Sequence, residues 1–399
     1  MFFKNRSLVV LLFVLTLQSW PAIADSVLRT SLLLDGTGKV LINKDIHIRD
    51  GRIHQITDWG SSFDFDLRGQ TVTPGWIDTH THIAARTDSA GQHVMPNSLG
   101  DETLAEAALA TAANAYATLM AGFTTIRSPG DLLDVPVAQS INKGGLPGPR
   151  ILTSRELLFA GDITSDTDII KFVHRMKREG ADVLKVFGDN HGTITAKHLA
   201  IACGEAKKIS LLTMVHADSL ATVNNGINAN CDSIEHGFQA NKTSFVKMAD
   251  KGIFYSPSLD IPVHYARRLG DIPEAKSYTS VQRELMPPDY MPYVRVFQSA
   301  VASDVEIVFA SDAVAGVHGS NADEFVWRVI DGGQTPLQAI GNATSTAAKA
   351  LGLEGEIGRI SPGYQADIVA VDGNLLDDIR LVKSVSFIMK GGEVYYHKP

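Results

Sequence analysis

Residues 72–82 read Val72-Thr73-Pro74-Gly75-Trp76-Ile77-Asp78-Thr79-His80-Thr81-His82, an apolar run that closes on two histidines two positions apart. In an extended strand, residues i and i+2 point to the same side. Read as a strand, the run turns both imidazoles toward one point just past its carboxyl end. In a barrel of parallel strands that end is where the chemistry sits. A His-x-His pair alone is equally compatible with core or surface histidines, so the remainder of the chain has to decide its meaning.

Outward from this run, apolar β-branched stretches alternate with amphipathic helical ones, the pattern of parallel strands covered by helices. Eight strands are expected: Trp76 to His80, Phe123 to Arg127, Arg150 to Thr153, Val183 to Phe187, Leu212 to Ala217, Ser233 to His236, Ile253 to Pro257 and Ile307 to Ser311. Helices are expected at Glu102 to Met120, Asp166 to Glu179, Ala196 to Ile209, Thr243 to Lys251, Val281 to Ala302, Asn321 to Ile330 and Thr335 to Leu351. Strand number and alternation predict an α/β fold, a (β/α)8 TIM barrel over residues 75–353. No glycine-rich phosphate loop follows a strand, which argues against nucleotide binding.

Both chain ends have a different texture. Short strands broken by Gly36, Gly38 and Gly51 fill the first flank, and similar ones with turns at Pro362-Gly363 and Gly391-Gly392 fill the last. Residues 25–74 and 354–399 are therefore expected to form one small β-sandwich domain together. Ahead of them, Lys4 and Arg6 precede the apolar run Leu8 to Leu17 and the small-residue stretch Ala22-Ile23-Ala24. That is the pattern of a secretory signal peptide, residues 1–24, cleaved after Ala24. The run is broken by Gln18, Ser19 and Pro21, short of the roughly 20 apolar residues of a spanning anchor. The expectation is a periplasmic or secreted protein with no stable membrane anchor after cleavage.

Composition narrows the partners. At 399 residues, with 44% hydrophobic and 20% charged residues, the chain has the makeup of an ordinary globular protein. A net charge of −8, spread without blocks, argues against a nucleic-acid partner and says nothing about which small-molecule substrate the chain would take. The two cysteines, Cys203 and Cys231, are too few for a disulfide framework and lie in apolar or small-residue stretches, so buried free thiols are expected.

Further chemistry-bearing residues recur at strand ends. Lys185 lies within Ala181-Asp182-Val183-Leu184-Lys185-Val186-Phe187, a strand suited to burial, where a charged lysine is strongly disfavoured. It has three fates: reaching solvent, pairing with a carboxylate, or conversion by carbon dioxide to a carbamate whose oxygens bridge two metal ions. His216 ends the strand from Leu211, His236 ends Ser233-Ile234-Glu235, and Asp312 follows Ile307 to Ser311. In a barrel of about 250 residues a repeat averages roughly 31. On that ruler His82 and Lys185 are three repeats apart, Lys185 and His216 one, His216 and His236 one short one, and His236 and Asp312 two. The set maps to strands one, four, five, six and eight, which points to a metal centre. Nitrogen and oxygen donors of this type suit zinc, with manganese, cobalt or iron less favoured.

With these residues in place the chain resembles the amidohydrolase superfamily, in the branch containing Xaa-Pro dipeptidases and imidazolonepropionase. The resemblance rests on Pro74 to His82, Gly180 to Lys185, His216-Ala217, Ile234-Glu235-His236-Gly237, Ser311-Asp312 and the tail Gly355 to Asp372. It implies that His80 and His82 hold a more buried divalent ion and His216 and His236 a more exposed one. Carboxylated Lys185 would bridge two Zn2+ ions, and Asp312 would bind the first and serve as general acid/base for a bridging hydroxide. Imidazolonepropionases generally lack the bridging lysine, so Lys185 favours the dipeptidase-like side. Deaminases pair their metal with a His-x-x-Glu shuttle, whereas here Ala217, Asp218 and Ser219 follow His216.

The resemblance thus implies an exported binuclear enzyme cleaving a C–N amide bond of dipeptides or N-acyl amino acids. The alternatives are a hydrolase of a cyclic amide, lactone or phosphotriester on the same centre, or a metal-binding protein without catalysis. Candidate substrate contacts are His318, in the loop after Asp312 and resembling a family position near the substrate, Tyr265 with neighbouring Arg267 and Arg268, and His191. His47, His54, His93, His174, His198, His264 and His397 read as structural or surface residues. Two loops depart from the dipeptidase-like pattern: Leu157-Leu158-Phe159-Ala160-Gly161-Asp162 after strand three and Ser128-Pro129-Gly130 after strand two. Relatives are often oligomeric, so a homo-oligomer is an available state.

Overall fold

The computed structural model describes residues 25–88, 93–94, 97–189, 192–260 and 290–398. The expected leader, His191, Tyr265 and the Arg267-Arg268 pair lie outside them. In chain order the strands are β1 (Ser26–Leu34), β2 (Val40–Arg49), β3 (Arg52–Asp58), β4 (Phe65–Pro74), β5 (Trp76–Asp78), β6 (Phe123–Ser128), β7 (Arg150–Thr153) and β8 (Leu157–Leu158). There follow β9 (Val183–Phe187), β10 (Leu212–Ala217), β11 (Ser233–His236), β12 (Phe254–Ser256), β13 (Ile368–Asp372), β14 (Val385–Lys390) and β15 (Glu393–His397).

The two chain ends share one sheet, ordered β15-β14-β13-β4-β1-β2-β3. The hairpin between β2 and β3 turns on Asp50-Gly51, both at positive φ (50° and 73°), the geometry that an Asp-Gly pair adopts at least cost. The ends are joined where β13 pairs antiparallel with β4, Ile368 opposite Pro74 and Val371 opposite Thr71. Leu28, Ile46, Leu67, Val72, Ile368 and Phe387 gather in its apolar core. The expected two-sheet sandwich is replaced by this single continuous seven-stranded ladder.

From β4 the chain passes directly into β5 through Gly75, where a Cβ would fall 2.2 Å from Thr124 Oγ1. Only glycine allows so close a passage. Beyond it lie two parallel sheets, β5-β6-β7 and β12-β11-β10-β9-β8. Trp76, Phe123, Phe309 and Phe325 interlock in the core, with the Trp76 and Phe325 rings 5.0 Å apart and those of Phe309 and Phe325 4.3 Å apart.

The two parallel sheets are linked by scattered hydrogen bonds and not by ladders. Asp182 N donates to Thr153 O at 2.9 Å on one side. On the other, the expected eighth strand, Ile307 to Ser311, is not a strand. It forms an isolated parallel bridge, Ile307 to Tyr255, and accepts from Thr79 N at Phe309 O (2.9 Å). The ladder fails because its donors go elsewhere: Phe309 N to Asn342 O (3.0 Å) and Ser311 N to Asp78 Oδ1 (3.1 Å).

Helices occupy Leu104–Met120, Asp166–Arg178, Ala196–Lys208, Lys242–Lys251, Tyr290–Val301 and Asp323–Ile330, close to expectation, with the 281–289 part of the expected helix Val281 to Ala302 outside the described residues. Two helices, Asp134–Asn142 and Leu220–Asn228, were not anticipated; both are short and carry few long apolar side chains. The expected helix Thr335 to Leu351 is two, Pro336–Asn342 and Ser345–Ala350, broken at Thr344 (φ −133°, ψ −97°). Among the described residues no helix is long and apolar enough to cross a membrane.

The cysteines overturn the free-thiol expectation, because Cys203 and Cys231 form a disulfide with Cα atoms 5.2 Å apart. Cys203 lies on the helix Ala196–Lys208 and Cys231 in the turn before β11, two successive layers of the same wall. Their separation of 28 residues gives no sign of this pairing; packing of consecutive strand–helix repeats creates it. Closing a loop of that length stabilises the folded chain by about 3–4 kcal/mol on loop entropy. Replacing both cysteines by alanine is expected to lower unfolding free energy by at least that amount in urea titrations, and intact-mass measurement of the unreduced wild type should show no alkylatable thiol.

Candidate metal centre

The ladder of β5 stops at Asp78, so His80 and His82 lie just past the strand rather than in it. Their direction is set by backbone pairing on both sides. Thr81 N donates to Arg127 O (3.1 Å), His82 N to Ala313 O (2.9 Å), and Asp312 N to His80 O (2.7 Å). Asp78, fully buried, fastens the same segments: it accepts from His80 N (3.2 Å), Ser311 N (3.1 Å), Ser311 Oγ and Asn321 Nδ2 (2.9 Å). Burial pushes its carboxyl up to about 6 against the pull of those donors.

The two imidazoles then share one neighbour, as i and i+2 residues should. Asp312 Oδ1 lies 3.3 Å from His80 Nε2 and 3.2 Å from His82 Nε2. Both Asp312 and His236 stand at strand-end turns with positive φ, 49° and 64°, where a non-glycine residue is strained. That turn aims each side chain inward. Lys185, completely buried in β9, places Nζ 3.5 Å from His80 Nε2. Burial pushes its ammonium down to about 8, with Glu235 and Asp312 pulling the other way.

His216, at the end of β10, stacks on Phe187 (4.1 Å, 14°) and meets the His236 ring edge-on at 4.5 Å. Its Nε2 is 3.2 Å from Asp218 Oδ2, and Asp189, 3.9 Å away, accepts the backbone N–H groups of Asp218 and Ser219 at 3.0 Å. Among the described residues two sets bring three ligand atoms within 4.8 Å of one another: His80, His236 and Asp312, and Asp189, His216 and Asp218. His236 thus bridges the expected halves, 5.1 Å from the His80 ring and 4.5 Å from that of His216.

The donor set fits divalent cations. Asp312 Oδ1 and His236 Nδ1 are buried without a hydrogen-bond partner, an arrangement that costs free energy unless something accepts their lone pairs. Burial, reinforced by Lys185, pushes the His80 imidazole down to about 4, and burial with the neighbouring His216 pushes His236 well below its ordinary value. Burial would raise the Asp312 carboxyl, yet the surrounding histidines hold it below the usual carboxylate range. Neutral imidazoles and an ionised carboxylate are the forms that ligate metal. Imidazole and carboxylate donors of this kind suit a divalent first-row cation.

Two residues given no role by the sequence complete the centre. Glu235 is fully buried, accepts from His80 Nδ1 at 2.8 Å, and accepts from Arg127 Nη2 at 3.0 Å. Arg127 also donates through Nε to Thr79 O (2.6 Å). A carboxylate behind a histidine fixes which ring nitrogen faces the centre, here Nε2. The available signal was an acidic residue inside a buried strand, one position before a ligand.

A cavity of about 260 Å³ is lined by all six expected ligands. It is also lined by His93, which the sequence offered only as a structural or surface residue. His318 does not line it; the residue lies largely buried near His82, and burial together with His82 pushes its imidazole down to about 4.

The arrangement predicts that Glu235→Gln, which removes the charge that orients His80, lowers zinc affinity about 10- to 100-fold. Competition against a chromogenic chelator measures this, with circular dichroism reporting on folding.

Comparison with known proteins identifies relatives of the chain. Residues 71–396 match the model of the amidohydrolase family. Ochratoxinase from Aspergillus niger is 25% identical over 435 residues, covering 93% of this chain and 86% of the relative. A crystal structure of a Xaa-Pro dipeptidase with bound methionine in the active site superimposes with a TM-score of 0.82 at 26% identity, covering 94% of this chain and 100% of the other. The crystal structure of the A. niger ochratoxinase gives 0.80 at 22% identity, over 94% and 96% of the two chains. The chain belongs to the amidohydrolase family.

Proposed function

We propose that the protein is an exported, binuclear metal-dependent amidohydrolase that cleaves a C–N amide bond of dipeptides or N-acyl amino acids. The observation that carries the reading is Asp312 Oδ1, without a hydrogen bond, between the Nε2 atoms of His80 and His82 with Lys185 Nζ close behind. His80, His82 and Asp312 would hold one ion, and His216 and His236 the other, around a (β/α)8 barrel whose eighth segment is the 307–313 stretch. Zinc is the metal that these donors favour.

Lys185 is suited to join the two. Burial pushes its amine down to about 8, which favours the neutral form, and a neutral amine adds carbon dioxide with release of one proton to give a carbamate. Bound ions supply acidification of a water and polarisation of the scissile carbonyl. Asp312, ionised and at the cavity floor, accepts the water's proton and returns it to the departing amine. Glu235 and Arg127 hold His80 throughout.

Export is supported by the leader-like first 24 residues and by the Cys203–Cys231 disulfide, a bond that persists in oxidising compartments. Amide chemistry is supported by the relatives, one described as a Xaa-Pro dipeptidase.

Metal analysis of protein from a periplasmic preparation is expected to give two zinc ions per wild-type chain, and fewer with more than 100-fold loss of kcat in Lys185→Ala. Chelation should abolish hydrolysis of a dipeptide and N-acyl amino acid panel, and added zinc should restore it. One ion per chain with activity indifferent to Lys185 overturns the two-metal reading; turnover confined to lactones or an aryl phosphotriester overturns the amide one.

A further inference from the structure

The two loops whose sequences depart from the dipeptidase-like pattern both reach the cavity. Ser128 and Gly130 line it from one, and Leu157 and Phe159 from the other. The second loop does so by a short piece of strand. Leu157 and Leu158 form β8 and pair in parallel with β9, with Leu157 in register with Lys185. Leu157 therefore points to the same side of the sheet as Lys185, into the site.

From there an apolar surface runs without interruption to His216. Phe159 follows Leu157 by two residues, and its ring lies 5.2 Å from that of Phe187. Phe187 follows Lys185 by two residues on β9 and stacks on His216 at 4.1 Å. Both rings are partly exposed, and both line the cavity. Within the loop that carries Phe159, Phe159 N donates to Asp162 Oδ2 at 2.9 Å. Val94 and Val314 add further apolar lining.

A wall of one leucine and two phenylalanine rings, spanning Lys185 to His216, rewards a flat apolar group and gives a small polar one nothing to bind. We propose that this wall is a substrate subsite and that the enzyme selects amides carrying an aromatic group next to the scissile bond over small polar ones. The inference rests on the amide-hydrolase reading above and names its substrate class.

The test uses the full zinc-loaded protein with N-acetylglycine, N-benzoylglycine and N-acetylphenylalanine, which place no ring, a ring on the acyl side and a ring on the amine side. Binding by calorimetry and kcat/KM are measured separately. At least one aromatic compound is expected to bind and turn over about tenfold or more better than N-acetylglycine, the scale that apolar pockets achieve. In Phe159→Ala that ratio should fall to within about threefold of unity, and in Phe159→Leu, which keeps apolar volume and guards against misfolding, to an intermediate value. Equal binding of all three compounds by the wild type, or a ratio unmoved in both variants, overturns the subsite. Selective aromatic binding without hydrolysis of any amide supports the wall and overturns the amide-hydrolase reading instead.

Discussion

The carboxylate of Glu235 is the point on which the centre depends. It sits in the dry interior of a parallel sheet, where an unpaired charge is among the most costly features a fold can carry. Arg127 on β6 neutralises it from one side, and the Nδ1–H of His80 donates a hydrogen bond to it from the other. Burial would raise the carboxyl, but Arg127, His80 and Lys185 together hold it well below its ordinary range. Arg127 in turn donates to Thr79 O, so β6, β11 and the segment carrying the histidine pair are tied through one buried ion pair. Buried pairs of this kind are weak evidence for stability, and their attested use is to fix one arrangement among several. Here what they fix is the direction of His80.

Around that point the backbone is bent to bring ligands inward. His236 and Asp312 hold left-handed conformations that cost a residue with a side chain about 1–3 kcal/mol each. Such strain persists only where neighbours over-determine it. Gly237 N bonds to Ala217 O, and Asp312 N to His80 O, while Asp78 gathers Ser311 and Asn321 beneath. The same demands explain why the stretch from Ile307 to Ser311 forms no ladder. Its amides are spent on Asn342 and Asp78, so it holds the Asp312 turn in place at the expense of regular sheet.

Much of this was legible in the chain. Periodicity located β6, β7, β9, β10 and β11 closely, because fully buried parallel strands leave continuous apolar runs. Strand-end placement picked out His80, His82, Lys185, His216, His236 and Asp312, all of which line one cavity. Boundaries failed where local signals were weak: the helices at Asp134–Asn142 and Leu220–Asn228, the break at Thr344, and β8, which is only two residues long. The Glu235 support was hidden, since an acidic residue next to a ligand reads as a polar neighbour until Arg127 is seen opposite it.

By itself the sequence determined which side chains are candidates for the chemistry and, through their spacing along successive repeats, that they converge. These are properties of residue type and period, and both are written in one dimension. Tertiary structure alone decided which atoms meet: that Asp312 Oδ1 lies between two imidazoles, that His236 stands between the two ligand groups, that Cys203 bonds Cys231, and that both chain ends share one sheet. It also set Leu157, Phe159 and Phe187 into a single wall. Each of these depends on contacts between segments tens to hundreds of residues apart, and no local preference encodes them.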